Sequence, residues 1–314
     1  MIYVGDFFKR LFRKSNIPMI IYLVINLVLV FIGTSVIVSV ATSDKPMSNA
    51  AFIIVSILAS VLLYGTGIVI ALSPLGEFLL RTKLGCKEIK DQAILSRIMP
   101  IFNEVHAAAR RVNPSIAEDI KLFMNDDDDV NAFATGRKTV CINRGILKLT
   151  DEEIKGIMAH EFGHIANHDT DFTLVVNVAN WIVTVYFMIA WVIIMLYKYT
   201  VKIIAFCVAI ASDSIGAVIG SVLGGALVDF MITISIKLFS ALWTFIGNML
   251  IKASSRGNEY LADKFAKDSG FGVGLMTFFS RYANANQKLS LKEKIESLSD
   301  THPPMSKRLQ ALAQ

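Results

Sequence analysis

The stretch TDEEIKGIMAHEFGH, residues 150–164, decides how the chain folds. Thr150 stands ahead of three acids, Asp151, Glu152 and Glu153, so a hydroxyl N-cap, a glutamate at the third helical position and negative charge at the helix start coincide. This predicts a helix running from here through His164. On such a helix His160 and His164 lie one turn apart on one face. Two imidazoles can then aim at one metal, while Glu161 flanks the coordination position left open.

Two histidines need a third protein ligand to make a catalytic site. A histidine six residues after the second would supply it in one known arrangement, but position 170 is threonine. His168, four residues past His164, falls a full turn too far along the axis and reads as a polar helix end. A carboxylate on a second helix is the alternative, and EYLAD at 259–263 offers one. Glu259 and Asp263 are again i and i+4, so Glu259 can ligate while Asp263 reaches a ligating histidine and fixes its tautomer. Alone, that pair would read as a solvated acidic face; with the upstream motif in the same chain, the ligand reading is preferred.

Working outward, the composition demands lipid. Of 314 residues, 54% are apolar and 18% charged, against about 25% charged in soluble domains. The mean hydropathy of +0.54 exceeds what one chain of this length can enclose, and it also excludes disorder. Cys86, Cys141 and Cys207 form no CxxC pair, so neither a disulfide framework nor a cysteine zinc site is expected. The net charge of +5 does not point to nucleic acid, because Lys9, Arg10, Arg13 and Lys14 sit just before an apolar run and no basic stripe with interleaved aromatics occurs elsewhere. That run is longer than a signal-peptide core and lacks a small-residue cleavage site.

Four stretches are long enough to span a bilayer: residues 17–40, 50–72, 172–197 and 228–251. Basic residues precede the first span and follow the second (Arg81, Lys83, Lys87, Lys90), which places both flanks on the cytoplasmic side; an interfacial helix over residues 7–14 fits the same arrangement. Residues 201–227 are apolar and carry Gly216, Gly220 and Gly224 at four-residue spacing. They are expected to be a buried, re-entrant or peripheral helix, since a fifth crossing would put Glu259 across the bilayer from His160. Between the span pairs, an amphipathic helix is expected over residues 92–111, kinked or delayed by Pro100. Short strands are expected at 119–124, 131–134 and 138–142. Asp126 to Asp129 lack the spacing and glycine of a calcium loop and read as a solvated turn.

Four pieces together carry a resemblance: HEFGH at 160–164, Ser255-Arg256 followed by EYLAD, NAFATG at 131–136, and THPP at 301–304 with Arg308. They closely resemble the HtpX-type membrane zinc proteases, bacterial heat-shock relatives of the prenyl-protein endopeptidase Ste24. The resemblance implies a multi-pass α-helical membrane protein with a mainly α, α+β gluzincin-like zinc metallopeptidase domain carrying a small sheet. It implies one zinc ion per chain on His160, His164 and Glu259, Glu161 as general base to a zinc-bound water, and Asp263 as the orienting carboxylate. Asn131, Ala132, Phe133 and Ala134 would form an edge strand able to pair with an extended substrate, Arg308 would stabilise the oxyanion, and His302 would line the cleft.

The expected organisation is a basic N-terminal segment 1–16, a hairpin of two spans 17–72, the first part of the catalytic domain 73–171, a second span pair 172–251 containing 201–227, and the second part of the domain 252–314. The implied partners are polypeptide substrates, above all misfolded or damaged membrane proteins, and the lipid bilayer. The implied location is the cell (inner) membrane, with active site and both termini cytoplasmic. The apolar, glycine-rich 201–227 departs from the polar loop usual in the family, which puts the number of crossings in question but not the site. A site-2-type intramembrane protease is disfavoured by the polar flanks of the motif, residues 151–155 and 167–171. A non-catalytic metal-binding scaffold is disfavoured because a structural zinc site has no use for Glu161.

Overall fold

A computed structural model describes residues 11–45, 47–211, 215–285 and 303–313. The chain divides into two compact units, one comprising Met1–Val24, Leu62–Ala179 and Leu250–Gln314, the other Ile25–Val61 and Asn180–Met249. Four helices among the described residues are long and apolar enough to cross a membrane. They are α1 (Ile17–Ala41), α2 (Asn49–Ala71), α6 (Asp169–Ala211) and α7 (Ile215–Asp268).

The second unit is built from these helices alone. Thr34 of α1 donates to its own helix at Val30 O (2.7 Å) and meets Tyr186 of α6 at 3.0 Å, a side-chain contact of the kind that joins helices where lipid supplies no hydrophobic drive. Lys198 and Lys202 of α6 both pair with Asp229 of α7. With 43 and 54 residues at about 1.5 Å per residue, α6 and α7 are roughly twice the length a bilayer core requires.

The described residues of 201–227 are helix, as expected, and belong to the end of α6 and the start of α7; of the buried, re-entrant and peripheral arrangements, the buried one is not what their side chains show. No proline interrupts the chain between α6 and the end of α7, so helix continues to Ala211 and resumes at Ile215. Ile203, Phe206 and Leu223 are exposed, and a Cβ added at Gly220 or Gly224 would meet nothing within 4 Å. Among the described residues, Gly220 and Gly224 make no close helix contact.

The first unit holds α3 (Pro74–Lys83), α4 (Gln92–Val112), strands β1 (Lys121–Asn125), β2 (Ala132–Thr135) and β3 (Thr139–Asn143), α5 (Asp151–Asn167), the C-terminal part of α7, α8 (Gly272–Ala285) and α9 (Met305–Leu312). The sheet order is β1-β3-β2, with β1 parallel and β2 antiparallel to β3. Each strand begins within two residues of where the pattern of residue types put it. Helix α4 is continuous through Pro100.

Its core is one cluster that includes Ile98, Phe102 and Val105 of α4, Val140 and Ile142 of β3, Met158 and Phe162 of α5, and Leu275 and Phe279 of α8. Helix α5 is the hub. It lies so near α8 that a Cβ at Gly156 would stand 2.3 Å from Leu275 N, and one at Gly274 would stand 2.0 Å from Glu152 O. Only glycine at both positions permits that approach.

Candidate metal centre

Helix α5 starts as its first residues dictate. Thr150 Oγ1 accepts from Glu153 N and Glu153 Oε2 accepts from Thr150 N, a reciprocal cap. The helix ends at His168, whose left-handed backbone (φ 64°) turns the chain before α6 begins at Asp169. Glu259 and Asp263 arrive on α7, which approaches α5 at Gly163: a Cβ there would lie 2.8 Å from Ala262 Cα.

The structure brings His160, His164 and Glu259 together, with one ligand atom of each within 4.8 Å of the others. His160 Nε2 lies 3.1 Å from His164 Nε2 and 3.4 Å from Glu259 Oε2; His164 Nε2 lies 3.6 Å from Glu259 Oε1. Zinc with bonds of about 2.1 Å in a tetrahedron separates its donors by roughly 3.4 Å, so the three donors fit that ion. Each ring is backed through Nδ1: His160 by Asp263 Oδ1 at 2.9 Å, His164 by Asp169 Oδ2 at 3.0 Å. Such carboxylates leave Nε2 as the ligating nitrogen.

The electrostatics agree. Glu161, Glu259, Asp263 and Asp169 converge on the two rings, and Arg308 of α9 is the cation set among them. Burial opposes a charged His164, yet Asp169, Glu259 and Glu161 outweigh it and lift its pKa to about 9. His160 is raised too: burial and the Arg308 charge work against it, and Asp263 and Glu259 prevail. A cluster that draws protons onto imidazoles in this way is one that a divalent cation would satisfy.

Glu161 is buried, and its Oε2 accepts from Ala134 N at 2.9 Å. Ala134 lies on β2, the edge strand. Asn131 O accepts from Asn143 N, so by alternation Asn131 and Phe133 bond to β3 while Ala132 and Ala134 turn their backbone groups outward. Arg308 is engaged behind the ligands. Its Nε and Nη2 donate to Asp263 at 2.8 and 2.5 Å, its Nη1 lies 2.9 Å from Glu259 Oε2, and its guanidinium stacks 4.4 Å from the centre of the Phe279 ring. The geometry thus spends the guanidinium on two carboxylates rather than leaving it directed at a substrate oxyanion.

His168 is buried, with Nδ1 2.9 Å from Asp171 Oδ2, and stays apart from the cluster. His302 lies outside the described residues. Asp169 is the one site residue that sequence reasoning passes over. It appears there only as part of a polar flank.

The sequence profile described as Peptidase family M48 matches residues 100–314. The Protease HtpX homolog of Bacteroides fragilis is 26% identical over 220 residues, 62% of this chain and of that protein; the chain thus spans about 62% of that relative's length. The Protease HtpX homolog of Bacillus velezensis is 23% identical over 326 residues, 97% of this chain and 98% of that protein. Among solved structures, S. mikatae Ste24p gives a TM-score of 0.40 at 18% identity, covering 89% of this chain and 61% of that one.

Proposed function

The chain belongs to peptidase family M48, and from that premise we propose that it is an integral-membrane zinc endopeptidase that hydrolyses peptide bonds of misfolded or damaged membrane proteins at the cytoplasmic membrane surface. The observation that carries this reading is the convergence of His160, His164 and Glu259 beside a buried Glu161 that touches the edge strand. His160, His164 and Glu259 would hold one zinc ion, which supplies Lewis acidity to the scissile carbonyl and to the attacking water.

Glu161 takes the proton of that water as the carbonyl carbon is attacked, then delivers it to the leaving amine as the C–N bond breaks. Its charge acts on His164 and its Oε2 is held by Ala134 N, so it stands between the ligand cluster and the edge strand. The outward N–H and C=O groups of Ala132 and the C=O of Ala134 offer an extended substrate backbone a strand to pair with, while the Ala134 N–H, held by Glu161 Oε2, sets that strand next to Glu161. Asp263 and Asp169 hold the rings of His160 and His164 in the ligating tautomer. Arg308, by bridging Glu259 and Asp263, positions the third ligand and one of these carboxylates. The basic flank Lys83, Lys87 and Lys90 supports a cytoplasmic site.

The test is Glu161→Gln in purified full-length protein. This variant should keep one zinc per chain and lose cleavage of an unfolded protein by at least about a hundredfold. Cleavage at near the wild-type rate would remove Glu161 from the reaction. Membrane proteins that accumulate in cells carrying this variant would identify the substrates.

A further inference from the structure

We infer that α3 is a membrane-surface helix, its exposed apolar stripe seated in the headgroup layer of a bilayer containing anionic lipid, while its opposite side holds the turn that carries β2. The helix cannot continue α2. Ser73 caps it by accepting from Gly76 N (3.4 Å), Pro74 opens its first turn, and a Cβ at Gly76 would stand 2.3 Å from Ala71 O and 2.6 Å from Ile70 O. The chain folds back onto the last carbonyls of the apolar helix and leaves in a new direction.

Leu75, Phe78 and Leu79 follow at i, i+3 and i+4 and are 55%, 51% and 55% exposed. A stripe of that size on ten residues is costly in water. It begins four residues after a helix long and apolar enough to cross a bilayer ends, so the lipid surface is its nearest apolar partner. Lys83, exposed in the last turn, closes the helix, a cation that anionic headgroups attract.

The other side of α3 faces protein. Arg81 stacks 4.5 Å over the Phe123 ring of β1. Glu77 accepts from Arg137 N (3.3 Å) and Lys138 N (3.0 Å) in the turn between β2 and β3, and from Thr139 Oγ1 (2.7 Å) at the start of β3. Gly136 sits at φ +60°, where a Cβ would come within 2.7 Å of Glu77 Cδ, and its carbonyl accepts from Thr170 Oγ1 at 2.7 Å. One helix therefore joins the lipid surface to the strand that touches Glu161. That the strand receives substrate rests on the function proposed above; the seating of α3 and its grip on the turn do not.

Hydrogen exchange of the full-length protein, reconstituted in phosphatidylcholine vesicles with none or one quarter phosphatidylglycerol, tests this without any readout of proteolysis. With the anionic lipid, amides of residues 75–83 and of the 136–139 turn should exchange about tenfold more slowly. In Glu77→Gln the lipid effect should persist at 75–83 and vanish at 136–139. Exchange at 75–83 indifferent to lipid overturns the membrane seating, and a lipid effect at 136–139 that survives Glu77→Gln overturns the coupling. A spin label at Phe78→Cys, in a chain with its three native cysteines changed to serine, gives a second measure. More collision with aqueous nickel chelate than with oxygen would sink the proposal.

Discussion

Replacing Gly163 by alanine sets two physical effects against each other. In an exposed helix interior, Gly→Ala stabilises by about 1 kcal/mol through backbone entropy. Here the new Cβ would stand 2.8 Å from Ala262 Cα and 3.1 Å from Ala262 Cβ, the former roughly 0.6 Å inside ordinary van der Waals contact, and overpacking of this kind costs about 1–3 kcal/mol. The obstacle on α7 is backbone, so the helices must part. Glu259 lies three residues before Ala262 and moves with it. Its oxygens lie 3.4 and 3.6 Å from the two Nε2 atoms, about the donor separation of a shared tetrahedral ion, so a further half-ångström weakens the third ligand bond. Zinc affinity should fall by about 10–100-fold, the range for a disturbed ligand shell, with cleavage falling alongside it. Competition titration against a chromophoric chelator reads the first, and thermal unfolding of the metal-free protein reads the packing cost. An alanine variant that binds zinc within twofold of wild type and melts higher would show that propensity wins and that α7 does not rest on Gly163.

The remaining predictions concern the groups around the ligands. Asp169→Asn should keep the stoichiometry of one zinc but lower affinity by about 10–100-fold, measured by the same titration, because the amide no longer holds the His164 ring as a carboxylate does. Arg308→Ala leaves Glu259 and Asp263 buried without their cation and should destabilise the metal-free protein by about 3–5 kcal/mol; Arg308→Lys should recover part of this in denaturant unfolding, and a neutral outcome for both would free Arg308 from the role assigned to it. The pH dependence follows from His164, whose pKa of about 9 in the folded chain stands above the ordinary value near 6.5. A raised value means the protonated ring favours the folded state, so the contribution is full below pH 6.5 and is lost as pH rises through 9. Denaturation of metal-free protein at pH 6 and pH 10 should differ by at most about 3 kcal/mol in that direction, and zinc, which takes neutral imidazole, should abolish the difference.

What was legible in the sequence was local or periodic. The cap at Thr150, the i, i+4 pairs at His160/His164 and Glu259/Asp263, and the apolar runs each concern residues within one or two turns, and the structure has each of them on helix. The strands were readable to within two residues because turn-forming residues bracket them. Illegible were features that depend on distance between elements. The reach of α6 and α7 past a bilayer's thickness follows from the lack of a helix breaker, which hydropathy windows do not weigh. The glycines at 156, 163 and 274 carry no signal until the helices they admit are known, and Glu77 reads as a first-turn acid until the turn it holds is folded against it.

Asp169 shows why one carboxylate of the centre escaped notice while its counterpart did not. On an unbroken helix a residue five positions past His164 would point about 140° away from it and lie one and a half turns along, so helical spacing argues against any contact. The contact exists because His168 adopts φ 64°, a left-handed conformation that costs a non-glycine residue on the order of 1 kcal/mol. That turn separates α5 from α6 and swings Asp169 back onto His164 Nδ1. Its cost is offset by a bond the straight helix could not make, His164 Nδ1 to Asp169 at 3.0 Å, while the His168 ring is held by Asp171 at 2.9 Å. His168, too far along the axis to serve as a ligand, thus acts on the centre through the backbone: it is the point where the helix must break for the second histidine to be held.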